Sequence, residues 1–86
     1  MIDEMLRNAI CRILYRVNPA PLRVETLESE CEIALGRVLT REEFRKELKS
    51  LQGDGIVKTA TGGALWPTET ALLTSTGWAE CQRVFG

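Results

Sequence analysis

The stretch from Leu39 to Ala60, LTREEFRKELKSLQGDGIVKTA, constrains the fold more than any other part of the chain. Thr40 is a strong helix start, because its hydroxyl can accept from a free backbone N–H of the first turn. Glu43 stands three residues later, where its carboxylate can reach back to the cap, and Leu39 precedes the pair. Phe44, Leu48 and Leu51 follow at helical spacing, so one stripe of this helix faces a core. Glu42, Arg45, Lys46 and Lys49 fall on the opposite face. Gly53-Asp54-Gly55 then stops the helix, since glycine accepts the left-handed conformation favoured at a helix C-terminus. Ile56 to Ala60 has strand character.

The 86 residues make one small domain spanning positions 1–86, with a single core and little apolar surface to spare. A hydrophobic content of 44% suits a globular chain rather than a disordered one. The formal charge of −1 excludes a protein that grips nucleic acid over its whole surface, so any such contact must use a local basic patch. Cys11, Cys31 and Cys81 are odd in number and widely spaced, which argues against a disulfide framework and for a reducing compartment. The opening MIDEM lacks the basic and apolar regions of a signal peptide, and no apolar run approaches a membrane span of about 20 residues. A cytoplasmic location without membrane contact is expected.

Asp3 to Val17 reads as a first helix, capped by Asp3. Its apolar face comprises Ile2, Leu6, Ala9, Ile10, Ile13, Leu14 and Val17, with Met5 widening it. Asn18-Pro19-Ala20-Pro21 ends it, because each proline disfavours helix in the residue before it. Pro21-Leu22-Arg23 reads as a short strand. Val24 to Leu35 reads as a second helix, with Val24, Leu27, Cys31 and Ala34 as its stripe and Glu25, Glu28, Glu30 and Glu32 outside. Leu35 to Leu39 is the turn into the third helix, with Gly36 at the helix end. Thr61-Gly62-Gly63 is a natural hairpin turn. Ala64-Leu65-Trp66 could return as strand, but Pro67 cannot donate to a ladder and marks an edge or a bulge. Thr61 to Glu69 is therefore read as one loop at the tip. Thr70 to Thr74 resumes the strand, with Ala71 and Leu73 on one face. Ser75 to Phe85 is a last helix with Trp78, Cys81 and Phe85 inward and Thr74 or Ser75 as cap. Phe44, Leu48 and Leu51 should pack on the first helix together with Leu27, Ile56 and Leu73.

A helix running through LQGDG into IV resembles the recognition helix and first wing strand of a winged helix-turn-helix domain. LTSTG, at Leu73 to Gly77, resembles the segment that joins the last wing strand to the next helix in many bacterial winged-helix repressors. The resemblance covers nearly the whole chain, in the order helix, short strand, helix, helix, strand, wing, strand, helix. It implies an α+β, mainly helical fold with a three-helix core, a β-hairpin wing and a short C-terminal helix. No narrower family is indicated.

Residues that carry catalysis are sparse. The chain has no histidine, which removes the commonest general base and zinc partner. The cysteines lack the close pairing of a zinc site, and Gly62-Gly63 lacks the lysine and serine of a phosphate loop. No enzyme, no metal and no cofactor is expected.

Two readings of function follow. In the first, the resemblance implies a small bacterial-type transcriptional regulator whose helix 40–52 enters the major groove. Arg41, Glu42, Arg45, Lys46 and Lys49 would then hold the groove-facing positions, with the arginines suited to base edges and the lysines to phosphates, and Arg37 and Lys58 would add phosphate contacts. Set against it, that segment holds four basic and three acidic residues, so Arg and Lys could merely balance Glu42, Glu43 and Glu47 on a solvated face. In the second reading, the same fold serves as a protein-interaction module or as a subunit of a larger assembly. The acidic second helix and the uncharged wing tip favour this, with Leu65 and Trp66 as an apolar anchor. A homodimer through the first and last helices is expected in either case, from the wide apolar face of the first helix and Val84-Phe85 in the last.

Overall fold

The computed structural model describes residues 3–63 and 65–86. Its elements run α1 (Glu4–Val17), β1 (Leu22–Arg23), α2 (Val24–Leu35), α3 (Arg41–Gly53), β2 (Val57–Gly62), β3 (Thr68–Leu73) and α4 (Ser75–Phe85). The three strands form one antiparallel sheet in the order β1-β3-β2. This is the winged helix-turn-helix order, with the β2–β3 hairpin as the wing.

Helices α1, α3 and α4 start where a side chain serves their free N–H groups, whereas α2 follows Arg23 without a side-chain cap. Asp3 accepts from Leu6 N at the head of α1, and Thr74 accepts from Gly77 N at the head of α4. Thr40 accepts from Glu43 N while the Glu43 carboxylate accepts from Thr40 N, a complete capping box. Gly36 ends α2 at φ +69°, a conformation that side chains with a Cβ rarely adopt. The core is built from Leu6, Ile10 and Leu14 of α1, Leu27 and Cys31 of α2, and Phe44, Leu48 and Leu51 of α3, closed by Val57, Ala71, Leu73 and Cys81.

Several edges differ from the sequence expectation. Met5 is 70% exposed and does not widen the face of α1. At roughly 100° per residue it lies well round the helix from Leu6, Ile10, Ile13 and Leu14. Ala34 is exposed, because the buried stripe of α2 passes to the half-buried Leu35 in the last turn. Ile56 is only half-buried, and Trp78 keeps 38% exposure at the rim of the core rather than inside it. The wing is longer and its tip shorter than expected. Thr61 pairs with Glu69 and Gly62 with Thr68, so the ladder continues past the expected turn. Pro67 sits just before β3 and needs no ladder partner there. Leu65 and Trp66 are bend residues, in keeping with the expected tip loop. The placements expected for Ile2 and Ala64 lie outside the described residues.

The joint between wing and α4 is tight. Thr74 N donates to Ile56 O at 2.9 Å, and Thr74 Oγ1 donates to Gly55 O at 2.5 Å. A Cβ on Gly77 would stand 2.0 Å from Ile56 O, so only glycine fits the first turn of α4.

Candidate functional site

The outward face of α3 is mostly cationic. Arg41, Arg45, Lys46 and Lys49 are all exposed there, beside the one carboxylate of Glu42. The remaining acids of the helix are turned to other work. Glu43 closes the capping box and accepts from Arg37 Nη1 at 3.2 Å. These contacts, from the Thr40 backbone first, then Arg37 and the Thr40 hydroxyl, hold its carboxyl below the usual carboxylate range. Glu47 is 6% exposed, and its Oε1 accepts from Asp3 N at 3.0 Å at the head of α1. Its other oxygen has no partner among the described residues. The near balance of charge in the sequence is therefore a segregation in space.

Arg41, Arg45 and Lys49 stand four residues apart on one ridge. Like charges at that spacing destabilise a helix. Among the described residues, Arg41, Lys46 and Lys49 form no ion pair. Arg45 is the exception. Its Nη1 donates to Glu69 Oε1 of β3 at 2.5 Å. Arg23, at the end of β1, shares a polar depression with this pair. The sequence reading missed Arg23 as a cation near α3. The short strand that carries it was legible, but its pairing with β3, which brings Arg23 beside Glu69 and Arg45, joins residues far apart in the chain.

The other expected contacts lie elsewhere. Arg37 bridges two elements, donating to Asp3 Oδ2 at 2.9 Å and to Glu43. The Asp3 contact pins the turn before α3 to the head of α1, while Glu32 of α2, whose Oε2 accepts from Leu39 N at 2.8 Å, pins it to the end of α2. Lys58 is exposed but stands on the other face of the hairpin. Its neighbour Thr59 accepts from Gln52 Nε2 of α3 at 2.8 Å, and successive strand residues point to opposite faces. Lys58 instead borders a depression with Pro19, Leu72 and Trp78. The structure thus brings Arg41, Arg45, Lys46 and Lys49 together and leaves Arg37 and Lys58 out.

The wing tip is the second distinct surface. Leu65 and Trp66 are each 84% exposed. Trp66 does not fold back on the sheet. Thr68 Oγ1 donates to its carbonyl at 3.3 Å, which fixes the backbone of the bend.

The cysteines belong to the core. Cys31 and Cys81 are buried and Cys11 is half-buried, all as free thiols. Burial pushes the thiols of Cys11 and Cys31 up to about 12, far from a reactive thiolate. Among the described residues no cluster of His, Cys, Asp or Glu could hold a metal ion, and no helix is long and apolar enough to cross a membrane.

The chain is similar in architecture to several solved structures. A PadR-like transcription factor from Bacteroides fragilis superposes with a TM-score of 0.76 at 14% identity, covering 94% of this chain and 77% of that one. Bacillus subtilis PadR in complex with operator DNA gives 0.70 at 23% identity; the match covers 92% of this chain and 45% of that one. A transcriptional regulator homologue from Pyrococcus horikoshii OT3 gives 0.66 at 25% identity, covering 94% and 77%. No protein-family model matches the chain, and no curated protein matches it in sequence. What is shared with these regulators is the fold, a winged helix-turn-helix.

Proposed function

We propose that this winged helix-turn-helix chain is the DNA-binding part of a transcriptional regulator, with α3 in the major groove. One observation carries the reading: four cations share the outward face of α3 while Glu43 and Glu47 are held in the scaffold. Only Glu42 interrupts the cations on that face. The early residues of such a helix reach base edges and the flanking ones meet phosphate. Arg41, Lys46 and Lys49 suit phosphate, and Arg45 suits a base edge. Arg37 and Lys58 contribute least, being tied to the scaffold and turned away, respectively. Fold likeness to transcription factors, one of them solved with operator DNA, supports the same reading. So does a chain without histidine, which reads as a non-enzyme. Free thiols suit a reducing, cytoplasmic setting.

The experiment is a salt series on mixed-sequence duplex DNA. Contacts to about 3–4 phosphates per chain give a log–log slope of about −3 to −4. No binding at low salt would sink the reading.

A second reading rests on Leu65 and Trp66. Exposed tryptophan is enriched in protein hot spots, and the tip offers no cation to a phosphate. In this reading the wing engages a protein partner. Trp66→Ala would then weaken that partner by about 2 kcal/mol or more and leave DNA affinity unchanged. We also infer a homodimer through α1 and α4, where Tyr15, Trp78 and Phe85 cluster at ring distances of 6.4 and 6.2 Å and Val84 is 64% exposed. Light scattering on the eluting protein at tens of micromolar decides it, and a clean 9.6 kDa species would exclude a stable dimer.

A further inference from the structure

Glu69 lies on β3, yet among the described residues it is the one carboxylate that forms an ion pair with a cation of the outward α3 face, through Arg45 at 2.5 Å. About half of the Arg45 side chain and a third of Glu69 remain exposed, at 51% and 33%. An ion pair this wet adds little to stability, so its main effect falls on where the guanidinium points. Arg45 stands in the middle of the ridge, one turn from Arg41 and one turn from Lys49. Its guanidinium carries five N–H donors in a rigid fork. One of them goes to Glu69, and the rest remain for a ligand.

We infer that Glu69 is a positioning residue that makes Arg45 a reader of guanine, an assignment that rests on the DNA-binding reading above. A free arginine on a groove-facing helix can settle on a phosphate or on a base edge, and the phosphate carries no sequence information. A carboxylate beside it changes that balance twice. Its charge repels a phosphate from the depression and cancels the field that would draw one in. Its hydrogen bond also restricts the long side chain, so less freedom is lost when the remaining donors meet O6 and N7 of guanine. Arg41, Lys46 and Lys49 have no such carboxylate among the described residues, and they are left to the phosphates. Recognition is thus divided: a carboxylate-held arginine for one G·C pair and unpaired cations for the backbone.

The probe is a duplex that the wild-type chain selects from a random-sequence pool, with each of its G·C pairs then replaced in turn. Wild type should lose about tenfold at one such pair, the size of a good bidentate contact. Glu69→Gln should bind the unselected pool more tightly, with the salt slope steeper by about 0.9 as Arg45 gains a phosphate. At the same time its loss at that one pair should shrink to about threefold or less. Arg45→Lys keeps the charge without the fork, and should lose the same discrimination. In an Arg45→Ala background, Glu69→Gln should change nothing at that pair. Affinity and discrimination moving in opposite directions is an outcome that a merely structural residue does not produce. The assignment is overturned if Glu69→Gln keeps full discrimination at every G·C pair, or if it weakens pool and selected duplex alike. A wild-type chain that selects no duplex defeats the DNA reading and this assignment together, whereas selection without the Glu69 effect defeats this assignment alone.

Discussion

The outward face of α3 and the tip of the wing are the two most exposed functional candidates, and they are built on opposite principles. The α3 face is charged, and the scaffold holds it so: Glu47 is drawn to the head of α1 and Glu43 into the cap, leaving four cations and Glu42 outside. The tip is uncharged and apolar, with Leu65 and Trp66 standing free of the sheet. A wing serving phosphates would repeat the chemistry of α3. This one does not, so the two surfaces suit different contacts and can be perturbed separately.

The largest expected effect removes the distinction altogether. Phe44 is 1% exposed beneath the cationic face, and Phe44→Ala should cost about 3–5 kcal/mol. In a domain of this size that threatens the fold, and both surfaces should fail together in a urea titration. A wild-type midpoint would mean that α3 is not seated as described. Next in size, Lys46→Glu with Lys49→Glu should cut DNA affinity steeply and flatten the salt slope by about 2, with little change in melting temperature. If affinity stays the same, the α3 face is only a solvated surface. A smaller effect is expected at the tip. Trp66→Ala should change stability by no more than about 0.5 kcal/mol, read by thermal melting. With Trp78→Phe as background, Trp66 emission should be red-shifted and open to quencher; a blue-shifted signal would show the tip packed.

The smallest effect concerns the cap. The carboxyl of Glu43 is held below its ordinary value in the folded chain, so its contribution is complete above the usual carboxylate range. It is lost as pH falls through the folded value. Glu43→Gln should therefore narrow its stability gap to wild type as a melting series is taken from neutral to acid pH, and a constant gap would contradict the capping box.

How much of this was legible in the sequence depended on whether the causes were local. Helix α3 was legible from end to end, because Thr40, Glu43 and Gly53 to Gly55 act on their own neighbours. α4 was legible for the same reason, through Thr74. Trp66 was not, since nothing nearby in sequence decides whether a bend residue folds back on the sheet. The burial of Glu47 had a signal that was passed over. It lies three residues after Phe44 and four before Leu51, on the apolar stripe itself. The bonds of Arg37 to Asp3 and of Arg45 to Glu69 join residues 34 and 24 apart. No periodicity reports such contacts, and they decide which cations of the candidate site are free.

The contact between Gly77 and the Ile56 carbonyl has a mechanical meaning. Ile56 follows α3 almost directly, and Ile56 N is bonded to Leu51 O inside that helix. The start of α4 therefore rests on the tail of α3 with no linker between them to absorb motion. They behave as two levers on one pivot, although the whole wing separates them along the chain. A torque applied to α4 reaches α3 through a single peptide group, and a Cβ at residue 77 would be a wedge driven into that pivot.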